Sequence, residues 1–532
     1  MATRASKNEA TPSRQRDLSP KDTFACWLRC SHQRTTTAVA ENIGFAKDRC
    51  NRHRAAFAAL YSTLMKPVML MSNNRFVIAQ ELRQLVGLAG PLVFTQLAQM
   101  GMGVVDTVMA GRLGAVNLAG VALGGVVFWP LLLLVAGIVM SLTPTVSQLH
   151  GSGRSREAGE AVRQVLWIAL GAGMLLILVL QNIAPLYGVI GVDPEAVPIT
   201  LGYLSAISWG VLPVLGYFAL RYLCEGMSWT APAMVISGVG LLLKIPLNYW
   251  FIYGGWGLPA LGGVGCGWAS AVVMGFQFLA ICCVVKFSHV AVAGVFAKWS
   301  WPELSAIRHY LKLGLPIGLS TFVEFGIFSL VTLLIGRLGA ETVAAHQIVN
   351  NISGLVFMVP LGLGMATSIR VGFNVGANDL VAARRSGWVA IGASFAFALM
   401  AVIALLTLGP WVVSLYSTEP RVIAVATSLL IIVAFYQVFD DVQVIAMGAL
   451  RGYKDTAKPF FIAFACYWLV SFPIALILGY GYFESLNMGV AGYWIGLASG
   501  LVCAAVVLVA RFNRVSKRYA RQSQESHLEG LV

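Results

Sequence analysis

Charge is what this sequence has least of. Only 11% of its 532 residues are Asp, Glu, Lys or Arg, against about 25% in soluble domains, which excludes an ordinary soluble globular protein. Acids are scarcer still, 23 against 37 basic residues, so each acid inside an apolar run calls for a reason. Alternating segments of ~10 residues are absent, which argues against a transmembrane barrel. No H-E-x-x-H, G-x-S-x-G or P-loop pattern occurs, so the usual signatures of a membrane-embedded enzyme or an ATP-driven pump are missing. The nine cysteines form no framework. Cys26 and Cys30 with His32 resemble a metal cluster only faintly, since a C-x3-C without a second pair is a weak signal. The charged start lacks a following apolar segment, so no signal peptide is expected.

What is present is apolar length. Hydrophobic residues make up 58% of the chain, and runs of roughly 20 recur, each long enough to cross hydrocarbon as a helix. From Leu85 onward about twelve such spans can be placed, centred near Leu97, Leu131, Leu175, Leu204, Leu242, Met274, Val323, Val356, Phe397, Ala434, Val470 and Leu501. The expected fold is an all-α polytopic membrane protein. Residues 1–75 differ, being polar and basic, and their composition leads us to expect a disordered extension. Met69 and Met71 stand just ahead of the first span, so the residues upstream are read as an early-called start; an intact 1–60 in the mass spectrum of the purified chain would refute that.

The second half repeats the first. GRLGA occurs at Gly111–Ala115 and again at Gly336–Ala340, 225 positions later, and Pro91, Gly101, Thr107, Gly137 and Gly151 meet Pro316, Gly326, Thr332, Gly362 and Gly376 at the same offset. At an offset of 226, Pro194, Gly226, Gly263 and Trp268 meet Pro420, Gly452, Gly489 and Trp494. Shared glycines and prolines fix turns and close helix approach. Six spans per copy is an even number, so both copies insert the same way up, as parallel repeats. The expected layout is a lobe at 76–290, a linker at 291–312, a lobe at 313–511 and a basic tail at 512–532.

The net charge of +14 is distributed as topology, not as a nucleic-acid face. One set of loops holds Arg154, Arg156, Arg163, Lys286, Lys298, Arg308, Arg384, Arg385, Arg451, Lys454 and Lys458, and the tail adds Arg511, Arg514, Lys517, Arg518 and Arg521. The opposite loops carry little beyond Arg112, Arg337 and Arg421. Both termini are therefore expected in the cytoplasm.

Three spans carry acids that insertion scales penalise by about 2.5–3.5 kcal/mol each at mid-bilayer: Asp106, Glu324 and the adjacent pair Asp440 and Asp441. The repeat did not duplicate them, for Asp106 aligns with Val331, Glu324 with Gln99, and Asp441 with Leu215. Scaffold and chemistry thus separate. On a helix Asp440 and Asp441 point ~100° apart, so one is expected to serve a cavity and the other a structural partner. A carboxylate in such a place can hold a proton, Na+ or an organic cation, three occupants whose competition suits an antiporter. Plainer readings are an interfacial position for Asp106 and helix–helix hydrogen bonding for a lone membrane histidine such as His346.

VVDTVMAGRLG, KIPLNYWFIYG (Lys244–Gly254), VEFGIF, GRLGAETVAAHQIVNN and DDVQVIAMGALRGYKDT (Asp440–Thr456), taken together with the repeat, resemble the multidrug and toxic compound extrusion family, NorM type, over roughly Gln84 to Arg511. The resemblance implies a monomer in the bacterial inner membrane, without a cofactor, that exports small organic cations in exchange for H+ or Na+ by alternating access between its lobes. By position, Asp106 matches the acid of the N-lobe cation site and Asn248 its polar partner. Glu324 and Asp441 match the acidic pair of the C-lobe site, where Na+ is conceivable, and Gln347 matches a cavity-lining glutamine. Asn248 and Gln347 also fit plain interhelical hydrogen bonding. Tyr436 and the phenylalanines near Glu324 fit stacking on a flat cation, or simple packing. One residue departs from the family pattern: Lys244 stands where a second asparagine is usual. Four residues before Asn248, it shares that helix face; it is expected either to reach Asp106 as a built-in counter-charge or to snorkel to an interface. A lipid-linked saccharide flippase of related fold is the main alternative, but it calls for a cationic cavity, and Lys244 is the only mid-span base the sequence makes obvious.

Overall fold

A computed structural model describes residues 44–185, 187, 194–255, 257, 259–480 and 488–529, with side chains from 76 to 522 over the same stretches. It divides into residues 1–77 and residues 78–532. Within the first unit the described part, from 44, is helical, where composition suggested no fixed structure; Cys26, Cys30 and His32 lie outside the described residues.

Eleven described helices are each long and apolar enough to span a membrane, and a bent pair supplies a twelfth. In chain order they are α1 (Phe76–Arg112), α2 (Ala115–Gly151), α3 (Ser155–Gln181), α4 (Val197–Ser208 with Val211–Gly226), α5 (Ala231–Tyr253), α6 (Val264–Phe287), α7 (Leu304–Leu338), α8 (Ala340–Gly376), α9 (Leu380–Tyr416), α10 (Pro420–Gly452), α11 (Ala457–Tyr480) and α12 (Gly489–Gln522). Among the described residues there is no ladder of strands, and the chain is all-α. Every span centre read from the sequence falls inside one of these helices.

Local chemistry sets the breaks. The duplicated GRLGA is the turn between α1 and α2 and again between α7 and α8. Gly114 has φ 113° and Gly339 φ 97°, a region that a side chain at Cβ would strain. α2 breaks at Met140–Ser141, where Pro144 has no N–H to return to the Met140 carbonyl. α4 bends by 46° at Trp209–Gly210. In α11, residues Ala465–Ser471 widen into a π-helical turn.

The repeat is legible in the packing. Within the N-lobe, a Cβ on Gly226 would meet Val146 Cβ at 2.6 Å; within the C-lobe, one on Gly452 would meet Val371 Cβ at 2.7 Å, and Val146 and Val371 are themselves repeat partners. Between the lobes the contacts come in mirrored pairs as well. A Cβ on Gly151 would lie 2.0 Å from Phe373 O, and one on Gly376 would lie 2.0 Å from Gln148 O. Gly137 sits against Gly318, its Cβ position 2.3 Å from that Cα, while its partner Gly362 sits against Val93. At Gly372 a Cβ would strike Ser147 Oγ at 2.1 Å. Ser147 and Gly372 are repeat equivalents of each other, so the pseudo-twofold axis passes between them.

These junctions lie toward one end, that of Arg154 and Arg156 at the start of α3 and of Arg384 and Arg385 in the first turns of α9. Polar contacts reinforce it: Gln148 Nε2 donates to Gly452 O at 2.9 Å, and Arg370 on α8 grips Glu81 on α1 through two bonds of 2.9 Å. Ser386 on α9 also donates to Glu81, at 2.5 Å. At the other end the turns around Gly114 and Gly339 are exposed. The apolar core follows the same division. One cluster runs from the N-lobe into the basic-end half of the C-lobe, including Ile369, Leu450 and Phe512. The rest of the C-lobe core, with Ile327, Val349 and Leu501, stands apart.

Candidate functional site

Asp106 sits where α1, α5 and α6 meet. Lys244 and Asn248, four residues apart on α5, share one helix face and converge on the same carboxylate oxygen: Lys244 Nζ lies 3.0 Å from Asp106 Oδ1, and Asn248 Nδ2 donates to it at 2.8 Å. From α6, Cys266 O accepts from Lys244 Nζ at 3.3 Å, and Ser270 Oγ is a further close partner. An ammonium has three protons to place, and here each has an acceptor. Lys244 is 1% exposed, so it does not snorkel. Asn248 Oδ1 is buried without a partner, a spare acceptor beside the pair.

The C-lobe acids lie on α7 and α10. Of the adjacent aspartates, Asp440 is within electrostatic reach of Glu324. Asp441 instead accepts from Gln437 Nε2, one turn earlier, at 2.7 Å. The family resemblance pairs Glu324 with Asp441; in the structure the two aspartates have different surroundings, because successive helical residues point in different directions. The π-helical turn of α11 delivers Tyr467, whose hydroxyl donates to Glu324 Oε1 at 3.3 Å and accepts from Gln443 Nε2 at 2.5 Å. Such turns recur at functional sites.

Acceptors outnumber donors in this region. Asp440 Oδ1, Asp441 Oδ2, Gln437 Oε1 and Gln443 Oε1 are all buried and unpartnered. Buried polar atoms are normally satisfied, and an ionised carboxylate offers only acceptors. These oxygens can accept from a protonated or cationic occupant. Among the described residues no three His, Cys, Asp or Glu side chains converge as metal ligands do.

Other sequence candidates are placed elsewhere. Tyr436 is 2% exposed, hydrogen-bonded to Ser353 and stacked 5.8 Å from Trp494; its ring faces are not free for a ligand. Gln347 is exposed on α8, its amide 3.5 Å from Asn351 Oδ1. His346 bridges helices through Thr332 at 2.9 Å.

The sequence reading missed several groups. Gln437 and Gln443 flank the aspartates in YQVFDDVQV, and that polar density was the available signal. Tyr467 had none, since an intervening π turn cannot be read from residue spacing. Arg221 was also passed over: it is fully buried and bonds Glu225 at 2.5 Å and Gln96 at 3.3 Å. Lys244 is thus not the only base within the spans. Three of these bases are each matched by a carboxylate, Lys244 by Asp106, Arg221 by Glu225 and Arg370 by Glu81.

Two six-helix lobes, joined at one end, carry polar clusters within helices of membrane-spanning length. A family model described as MatE matches residues 91–250 and 316–477, two segments whose starts are separated by the repeat offset. The chain is 41% identical over 454 residues to multidrug resistance protein PmpM of Pseudomonas aeruginosa, covering 85% of this chain and 95% of that one. It is likewise 41% identical over 440 residues to multidrug resistance protein MdtK of Yersinia pseudotuberculosis, covering 82% and 96%. Among solved structures, a MATE in complex with MaL6 superposes with a TM-score of 0.76 at 21% identity, covering 83% of this chain and 97% of that one. The eukaryotic MATE transporter AtDTX14 gives 0.74 at 19%, covering 85% and 99%. The chain belongs to the MatE family.

Proposed function

We propose that the protein is a cation-coupled antiporter that exports cationic or amphiphilic organic compounds in exchange for H+ or Na+, rocking its lobes about the glycine-lined junction. The multidrug names of its 41%-identical relatives support the cargo class. The carrying observation is the surplus of buried acceptors around Asp440 and Asp441, beside Glu324. An incoming ion and an outgoing organic cation compete for those oxygens, and ligands that exclude one another while favouring different states are what exchange requires.

The N-lobe supports protons over Na+ at its own site. Lys244 already supplies Asp106 with a fixed positive charge, leaving a metal cation little to neutralise. A proton moving on the Asp–Lys pair changes that balance without a metal. The C-lobe cluster, with Glu324, Asp440 and Asp441, keeps room for either ion. The basic residues at the sealed end support a cytoplasmic position for that end and for both termini in a bacterial inner membrane, with the lobes parting toward the outside. A monomer suffices, since each lobe carries its own acids. The flippase alternative loses ground because Lys244, Arg221 and Arg370, within the spans, are each held by a carboxylate.

The test is dye efflux in proteoliposomes with pH and Na+ gradients imposed separately. Extrusion should follow at least one gradient in the wild type and lose that dependence in the triple variant Asp106→Asn, Glu324→Gln, Asp440→Asn. Undiminished gradient-driven efflux in the triple variant would overturn the proposal.

A further inference from the structure

The basic end carries a built cleft that the transport cycle does not use. It lies between the first turns of α9 and the end of α12, has a volume of about 320 Å³, and is lined by Val381, Arg384, Lys517, Ala520 and Arg521. Three of its five lining residues are cationic. Arg384 gives one bond to Asn513 Oδ1, at 3.3 Å, while its Nε is buried with no partner, as is that of the neighbouring Arg385. Two acids on neighbouring segments are already engaged. Asp379 caps α9 by accepting from Ala382 N at 2.8 Å, and Asp455 is held by Arg511 at 2.6 Å.

An apolar track leaves this cleft along α9. Val381, Trp388 and Phe395 are spaced seven apart, so they fall on nearly one line down the helix, and they are 55%, 37% and 48% exposed. Gly392 adds no side chain to that face, and a Cβ there would meet nothing. A cationic pocket at the head of an apolar stripe, at the membrane end of two spans, matches an amphiphile with an anionic head. Basic pockets between spans on the cytoplasmic side bind phospholipid head groups in this way.

We propose that this cleft binds an anionic phospholipid of the surrounding leaflet, its phosphodiester held by Arg384, Lys517 and Arg521 and one acyl chain laid along Val381, Trp388 and Phe395. Bound there, the lipid ties the C-terminal end of α12 to the start of α9. Ser386, which donates to Glu81 in the junction between lobes, is two residues from Arg384. Occupancy therefore bears on the sealed end and not on the ion sites.

The full chain, purified in mild detergent, is offered phosphatidylglycerol and phosphatidylcholine with identical chains, and retained lipid is counted by native mass spectrometry. The wild type should retain phosphatidylglycerol preferentially. Each of Arg384→Gln, Lys517→Gln and Arg521→Gln should weaken retention about fivefold, the effect of one basic group at a membrane surface. Trp388→Ser should weaken retention of both lipids while leaving the preference intact. Equal retention of the two lipids by the wild type, or undiminished preference in the triple glutamine variant, would overturn the proposal. So would inorganic phosphate displacing the lipid at equal concentration, because the apolar track would then contribute nothing. Thermal unfolding in the same detergent keeps the variants interpretable: Lys517→Gln and Arg521→Gln alter exposed side chains, and their melting points should match the wild type.

Discussion

Asp106 and Lys244 satisfy each other in a region where neither would stand alone. Removing one partner of a buried pair typically destabilises by about 3–5 kcal/mol, whereas replacing both is close to neutral. Asp106→Asn and Lys244→Asn should therefore each lower the melting temperature in detergent, and the double variant should recover most of the loss. Additive losses would show that the two are energetically independent. The same substitution addresses coupling. With the ammonium removed, Lys244→Asn should bring Na+ dependence to efflux, read by imposing the two gradients separately; an ion preference identical to wild type would remove Lys244 from the coupling argument. In the C-lobe, Asp440→Asn should impair gradient-driven efflux more than Asp441→Asn, because one oxygen of Asp441 is already held by Gln437. Equal effects would return the cavity role to both.

At the scale of elements, glycine and the π turn carry the consequences. Gly137→Ala places a methyl 2.3 Å from Gly318 Cα, where only backbone could yield, so it should hold the lobes apart and abolish efflux. Gly171→Ala, on α3, meets nothing within 4 Å and should be silent in the same assay. Tyr467→Phe keeps the π turn but withdraws the hydroxyl from Glu324 and Gln443, and should change the pH dependence of efflux without changing expression. How much of this was legible follows from the physics of each feature. Span positions were readable because a bilayer imposes a length and excludes charge, and the repeat was readable because backbone close approach tolerates only glycine. The acids were readable by their cost. The particular surroundings of Asp440 and Asp441 were not, since the hydrogen-bond partners each meets depend on packing. Arg221 escaped notice because its partner, Glu225, is itself at the end of an apolar run.

For the whole molecule, the bond network around Glu81 is the fastening of the sealed end. Glu81→Ala removes two bonds to Arg370 and one to Ser386, and should shift the population toward lobes that separate there. Spin labels at Ser152 and Ala377, repeat equivalents at exposed turns, would report a longer distance component; an unchanged distance distribution would assign the closure to glycine packing alone. Energetics at this scale constrain the exchange. One H+ inward per monovalent cation outward moves no net charge, so only the pH difference drives it, at about 1.36 kcal/mol per unit. A second proton would add about 2.3 kcal/mol per 100 mV. Clamping the voltage with a potassium diffusion potential distinguishes the cases, because efflux responds to voltage only in the second.

Ser147 and Gly372 face each other across the axis that relates them. Two serines there would collide, and two glycines would leave a hollow. A dimer of identical six-helix subunits must place the same residue on both sides of its axis and accept one fault or the other. Fusion into a single polypeptide frees the two positions to differ, so a knob can meet its own socket, and the centre of rotation closes more tightly than strict symmetry permits.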